Sequence, residues 1–394
     1  ILNSAGTVTE VGLTTDAAGT PVVYQANGTT WNQATFDSSN NKVVVSYNVG
    51  GTGALVAVGT VSGTAISYGT PVAISGAGNS YGAITYDSSN NKVVIAYRDY
   101  SNSDYGTAVV GTVSGTSISF GTPVVFKSAN ADWIATTFDS DSNKVVIAYR
   151  ISGQGTAIVA TVSGTSISYG TEVAFESNGS QQISATFDSD SNKVVIAYRD
   201  GLTDYGEAVV GTVSGTSISF GTIVVFNAAV TAQLSTTFDS NSNKVVIAYE
   251  DKGNSDYGTA IVGTVSGTSI SFGSEAVFES AETENTTASF DSAANKVVIA
   301  YQDDANSDYG TVVVGTVSGT SISFGSPVVF EAAAVTYTGS VYDSNADKVV
   351  IVYSDDGNSG YGTGVVFSVG STNVASFVGI ADAGISTSAT GTIV

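Results

Sequence analysis

One unit recurs seven times along this chain, and that repetition limits the possible folds more than any other feature. An aromatic-Asp pair, a short turn and a Lys-led apolar run occur at Phe36-Asp37, Tyr86-Asp87, Phe138-Asp139, Phe187-Asp188, Phe238-Asp239, Phe290-Asp291 and Tyr342-Asp343. Successive aspartates lie 50, 52, 49, 51, 52 and 52 residues apart, a period that belongs to propellers and solenoids. Seven near-copies stacked side to side make one large domain of what length alone would divide into two or three. Specific function is then to be sought where the copies differ.

The copy from Gln182 to Phe226 shows the pattern. QISATFD reads as a short strand ending in a DSDSN turn, and KVVIAY is a continuous β-branched run suited to a strand buried on both faces. EAVVGTV follows, then a tight SGTS turn and the alternating Ile218-Ser219-Phe220 of an outer strand. These strands, a to d, are joined by hairpins and carry no helix signal. The expected fold is all-β, a seven-bladed β-propeller of four-stranded antiparallel blades, with a β-solenoid as the alternative.

The segment Gly19-Thr20-Pro21-Val22-Val23-Tyr24 matches the end of strand d in other copies, yet it precedes the first blade, and the last copy loses the pattern after Val369. Residues 19–25 are therefore expected to close the last blade from outside, within a propeller spanning 19–369, which removes two exposed sheet edges. Val374-Ala375-Ser376-Phe377 is the alternative closing strand. Residues 1–18 and 370–394 are expected to be β-structured base segments that pair with each other and offer a route to a homo-oligomer. Ile1 opens no signal-peptide pattern, which suggests a fragment or processed product of a longer protein.

Composition narrows the chemistry. No Cys and no His occur, so disulfides, a Cys nucleophile, a Ser-His-Asp triad and nearly every zinc site are excluded. The formal charge of −22 opposes nucleic-acid binding. No apolar run approaches the roughly 18 residues of a membrane span, so no membrane insertion is expected.

The a–b turns (DSSNNK, DSDSNK, DSNSNK) and c–d turns (SGTS) are nearly uniform, whereas the d-to-a crossings and b–c loops on the other face vary. Such a face suits an asymmetric ligand, although loops also drift without function. Seven of the twelve cations are the lysines that lead strand b, and the other five, Arg98, Lys127, Arg150, Arg199 and Lys252, fall on the variable face. Arg98, Arg150 and Arg199 follow strand b on three consecutive blades, where guanidinium groups could fork onto a carboxylate or sulfate, or pair with the chain's own Asp residues. Trp31, Tyr81, Trp133, Tyr337 and Tyr100 are aromatics particular to single copies, suited to a sugar ring or to blade packing. Glu279, Glu282, Glu284, Asp303 and Asp304 make the same face acidic in blade six.

No cofactor is expected, with calcium as the one possibility. The DSDSN turns lack the Gly and distal Glu of a calcium loop and read better as Asx hairpins. The b–c loops offer D-x-x-N-x-D at Asp99, Asn102 and Asp104, at Asp251, Asn254 and Asp256, and at Asp303, Asn306 and Asp308. A glycosidase would need two carboxylates about 5–10 Å apart, and no unique polar cluster supplies them. The turns also lack the Gly-x-Thr-Trp portion of a sialidase-type Asp box. The expectation is a binding protein, not an enzyme.

The recurring FDSDSNKVVIAYRD…DYGTAVVGTVSGTSISFGTPVVF, with its flanks ILNSAGTVTEVG and FVGIADAGISTSATGTIV, resembles repeats in large tail-fibre-like structural proteins of marine bacteriophages over nearly the whole chain. That resemblance implies a virion-surface, extracellular appendage whose partner is a host-surface polysaccharide or another virion protein. An acidic or sulfated glycan held by Arg98, Arg150, Arg199, Trp31, Tyr81, Trp133 and Tyr100 is the expected ligand. A purely structural virion part and a bacterial surface adhesin are the alternatives.

Overall fold

The second to sixth residues of each strand b are apolar, Ser46 of blade one excepted, because the strand serves two cores at once. In blade three (b, Lys144–Ile151) Val145, Ile147 and Tyr149 join a cluster with blade two, while Val146 and Ala148 join one with blade four. All five are fully buried. The outward alternation of strand d, such as Ser217–Phe220, buries Ile218 alone. A sheet whose central strands are covered on both faces by neighbouring sheets must be enclosed by copies of itself, which a closed ring provides.

The computed structural model describes residues 15–74 and 79–370, and of residues 79–81 the backbone alone. Among the described residues, antiparallel a–b, b–c and c–d pairings repeat seven times. In blade four, a (Ser180–Asp188) pairs with b (Lys193–Asp200), b with c (Tyr205–Ser214), and c with d (Ser217–Phe220 and then Val224 onward). Blade seven takes its d strand from the N-terminal side: Ala17 and Ala18 pair with Ser368 and Phe367, and Val22, Val23 and Gln25 with Gly364, Thr363 and Gly362. Tyr24 is thereby buried against Tyr47 and Tyr68, at 5.0 and 5.3 Å between ring centroids. One core joins Val350, Val352 and Val366 of blade seven to Val43, Val45 and Tyr47 of blade one, and the ring is closed. Residues 16–369 form one compact unit. The proposed terminal base and the alternative closing strand at 374–377 lie outside the described residues.

The sequence suggests loops for the d-to-a crossings, but four of the crossings are single unbroken strands, Val22–Asp37, Val224–Asp239, Ala276–Asp291 and Val328–Asp343. Each leaves the outer edge of one blade and enters the centre of the next. In Val224–Asp239, Val224–Val230 pairs with strand c of blade four and Thr231–Asp239 with strand b of blade five. Each inner strand shifts register just after the crossing, between Ala232 and Ser235 here, and this bulge turns the chain into the centre. The a–b turns on the opposite face are Asx turns. Asp188 Oδ1 accepts from the backbone N–H groups of Asp190 and Ser191, both at 3.0 Å, and Asn192 is left-handed.

Candidate functional site

The register shift puts one residue per blade at the mouth of the central channel, six positions before the turn Asp. Reading around the ring these are Trp31, Tyr81, Trp133, Gln182, Gln233, Asn285 and Tyr337. Six of them have left-handed backbone, with φ of 57° at Trp31, 50° at Trp133, Gln182 and Tyr337, and 51° at Gln233 and Asn285. For Trp, Tyr and Gln that conformation costs roughly 1–2 kcal/mol per residue. The seventh, Tyr81, has its side chain outside the described residues. Backbone geometry is thus common to these six positions while side-chain chemistry is not.

Two arcs result. Tyr337, Trp31 and Trp133 stand on blades seven, one and three, and the Trp31 and Tyr337 rings lie 5.4 Å apart, tilted by 52°. Gln182, Gln233 and Asn285 occupy blades four, five and six. The amides also bind along the ring: Gln182 Oε1 accepts from Gln233 N–H at 2.7 Å, Asn285 Oδ1 from Tyr337 N–H at 2.9 Å, and Asn285 Nδ2 donates to Gln302 Oε1 at 2.7 Å. Between the arcs is a cavity of about 300 Å³ that no charged side chain lines, at the lower end of typical small-molecule sites. Asn32 lines it too. Its Oδ1 accepts from the Tyr24 hydroxyl at 2.8 Å, which turns that side chain into the core between blades seven and one. Apolar ring faces opposite amides can hold a molecule that has both C–H faces and hydroxyls.

The arginines take the second of their two expected arrangements, pairs with the chain's own Asp residues. Arg98 Nη1 donates to Asp132 Oδ1 at 2.6 Å and Nε to Asp104 at 3.2 Å, with its guanidinium carbon 5.2 Å from the Tyr100 ring centroid. Arg150 donates to the other oxygen of Asp132 at 3.2 Å. Arg199 donates to Asp204 through Nε at 2.8 Å and Nη2 at 2.5 Å. None of the three lines the cavity. Each guanidinium has a carboxylate of the chain's own within reach.

Five of the calcium-candidate carboxylates in the b–c loops accept hydrogen bonds from the chain itself. Asp99 and Asp251 cap short 3₁₀ turns, Tyr100–Asn102 and Lys252–Asn254, by accepting from Ser101 and Gly253 N–H. Asp104 holds Arg98, Asp256 holds Lys252, and Asp308 accepts from Gln302. Asn102, Asn254 and Asn306 end those turns and Asp303 precedes the third. On the same face, burial pushes Glu250 up to about 7 despite its Lys252 partner at 2.5 Å. Asp304 is pushed up to about 6 by its hydrogen bond with Asp308, by burial, and by the charges of Asp308, Glu282 and Glu284.

No family model matches the sequence, and neither does any curated protein. Solved structures share the fold. A chain in the crystal structure of a mitotic checkpoint complex superposes with a TM-score of 0.58 at 8% identity, over 92% of this chain and 98% of that one. The Dos1 propeller gives 0.54 at 10%, over 90% and 95%. A mutant of the NanB sialidase from Streptococcus pneumoniae gives 0.50 at 11%, over 93% and 72%. At these identities the likeness speaks for fold alone, and the fold is a β-propeller. The expectation that the chain is not an enzyme is corrected here. A sialidase is built on the same architecture, so missing His and Cys and a lack of unique polar clusters do not exclude catalysis.

Proposed function

We propose that this propeller is the glycan-binding head of a virion appendage and that it takes a neutral sugar at the mouth of its central channel. The carrying observation is the division of one uncharged ring into an aromatic arc and an amide arc. Stacking on Trp31, Trp133 and Tyr337 would bind the apolar face of a pyranose, while Gln182, Gln233 and Asn285 would meet its hydroxyls. The likeness of the repeat to marine phage fibre-like proteins supports the virion setting. Since the arginines are paired, the reading moves from an acidic to a neutral ligand. A single site of this size binds weakly, so attachment would depend on several heads acting together.

The test is glycan-array and whole-cell binding, with glycan cleavage followed in the same samples. Trp31→Ala and Trp133→Ala should each weaken binding about tenfold, the order of one lost aromatic contact, while Arg199→Ala leaves it unchanged. Equal binding by wild type and both Trp variants would sink the proposal.

A further inference from the structure

A second cavity of about 280 Å³ lies deeper in the channel and is lined throughout by uncharged residues. One residue of each blade, Ile134, Ile183 and Leu234 among them, lines both this cavity and the mouth, so the two share a collar. Together they reach into the range of small-molecule sites, where the mouth alone stands at the lower end. The inner wall is strand a, three to five positions before the turn Asp. Among the described residues strand a pairs there with strand b alone, so its other edge, a row of N–H and C=O groups, is turned to the channel.

The two sides of this inner wall differ. Ser184 Oγ accepts from Thr236 N–H at 3.0 Å and Ser235 Oγ from Ala288 N–H at 3.1 Å, each hydroxyl closing a donor on the edge of the next blade. Ala34, Thr136 and Ala185 stand in the same register against strand b as Thr236 and Ala288, so their N–H groups turn the same way. The residues placed to close them are Gly339, Ala83 and Ala135, which have no side-chain oxygen. Ala34, Thr136 and Ala185 all line the inner cavity. Its wall therefore offers open backbone donors on blades one, three and four, and the hydroxyls of Ser184, Ser235, Thr287 and Ser340 on blades four to seven.

Groups that both donate and accept suit such a wall, and a sugar's hydroxyls do both. We propose that a neutral glycan enters the channel end-on: its terminal sugar fills the inner cavity while the next sugar stacks on Trp31, Trp133 and Tyr337. This rests on the proposed function and deepens it, since a chain lying across the mouth would leave the inner donors to water. A surface glycan is anchored through its reducing end, so the free, non-reducing end is the one that enters. Specificity then lies with the terminal sugar, and the aromatic arc supplies grip.

The probes are neutral trisaccharides of β-glucan, α-mannan and β-galactan, printed through their reducing ends, each with a free and with an O-methylated terminal sugar. Wild type should bind a free-ended chain roughly tenfold or more better than its methylated form, the order of one or two hydrogen bonds lost at the wall. Ala135→Ser, which copies Ser184 and gives Ala185 N–H an internal partner, should weaken binding about fivefold. Gly82→Leu, which copies Leu234 in the collar, should bind free and methylated chains equally weakly. Binding that Trp31→Ala destroys, but that terminal methylation and the two inner variants leave unchanged, would overturn end-on entry and let the proposed function stand. Failure of the proposed function shows differently: binding untouched by Trp31→Ala, or no binding to any probe, removes the mouth site and the inner site with it.

Discussion

Arg98 and Asp132 join blades two and three at the rim of the channel, Nη1 to Oδ1 at 2.6 Å, while Arg150 takes the other oxygen of the same carboxylate. Asp132 directly precedes Trp133, so the ion pairs brace the bulge that presents one aromatic of the ring. Arg98 and Arg150 thus bear on the channel mouth through its frame. Their charges are neutralised where they stand.

Replacing Asp132 with Asn should expose that arrangement. With the side chains only 14–29% exposed, loss of the carboxylate leaves two guanidiniums short of charge and should cost about 1–3 kcal/mol, less than for a fully buried pair. Arg150 loses its partner outright, and Arg98 keeps Asp104. The variant should therefore melt lower and be retained on a sulfated resin at low salt, eluting as salt screens the contact. An unchanged melting temperature with no retention would mean that the pairs contribute nothing.

Stability should fall as pH rises from about 4.5 to 7. Glu250 is 1% exposed and its folded-state value is near 7, above the ordinary 4.5. Below 4.5 it is protonated in both states and carries no penalty. Through the window the unfolded chain ionises first, so the folded state loses ground, and the loss is complete above 7. Asp304, raised to about 6, adds to the same trend. Glu250→Gln copies Gln302 of blade six and should match wild type at pH 4 but exceed it by roughly 1 kcal/mol at pH 8, after allowing for Lys252 and solvent screening. Denaturant unfolding at both pH values checks this, and parallel curves would refute it.

The blades were legible because each strand's pattern is local and repeated: KVVIAY between an Asx turn and a loop reads as a doubly covered strand in every copy. The ring was half legible. Trp31, Trp133 and Tyr337 stand out as aromatics, but Gln182, Gln233 and Asn285 enter only when residues are aligned at a fixed offset from the turn Asp. Their left-handed backbone had no signal, since Trp, Tyr and Gln are poor residues for positive φ and a bulge is imposed by the blade crossing. The Arg98–Asp132 pair was hidden for another reason. It spans 34 residues and two blades, and only the packing of neighbouring sheets brings those side chains together.

The ring's backbone should invert the usual ranking of Gly and Ala in strands. At an ordinary exposed strand position such as Ser219, Gly is worse than Ala by about 0.5–1 kcal/mol, because it gives up more chain entropy on folding. At Gln233, with φ of 51°, Ala keeps the steric cost of the left-handed region and Gly does not. Gln233→Gly should therefore be more stable than Gln233→Ala by about 1 kcal/mol, and the backbone N–H that donates to Gln182 survives in both. Both variants lack the Gln233 amide, so under the proposed function both should bind glycan less well than wild type, including the one that gains stability. Denaturant unfolding of the two pairs, at positions 233 and 219, gives the ranking. If Ala is the better residue at both, the left-handed ring carries no strain, and the case for a backbone held at cost to present side chains at the channel mouth falls with it.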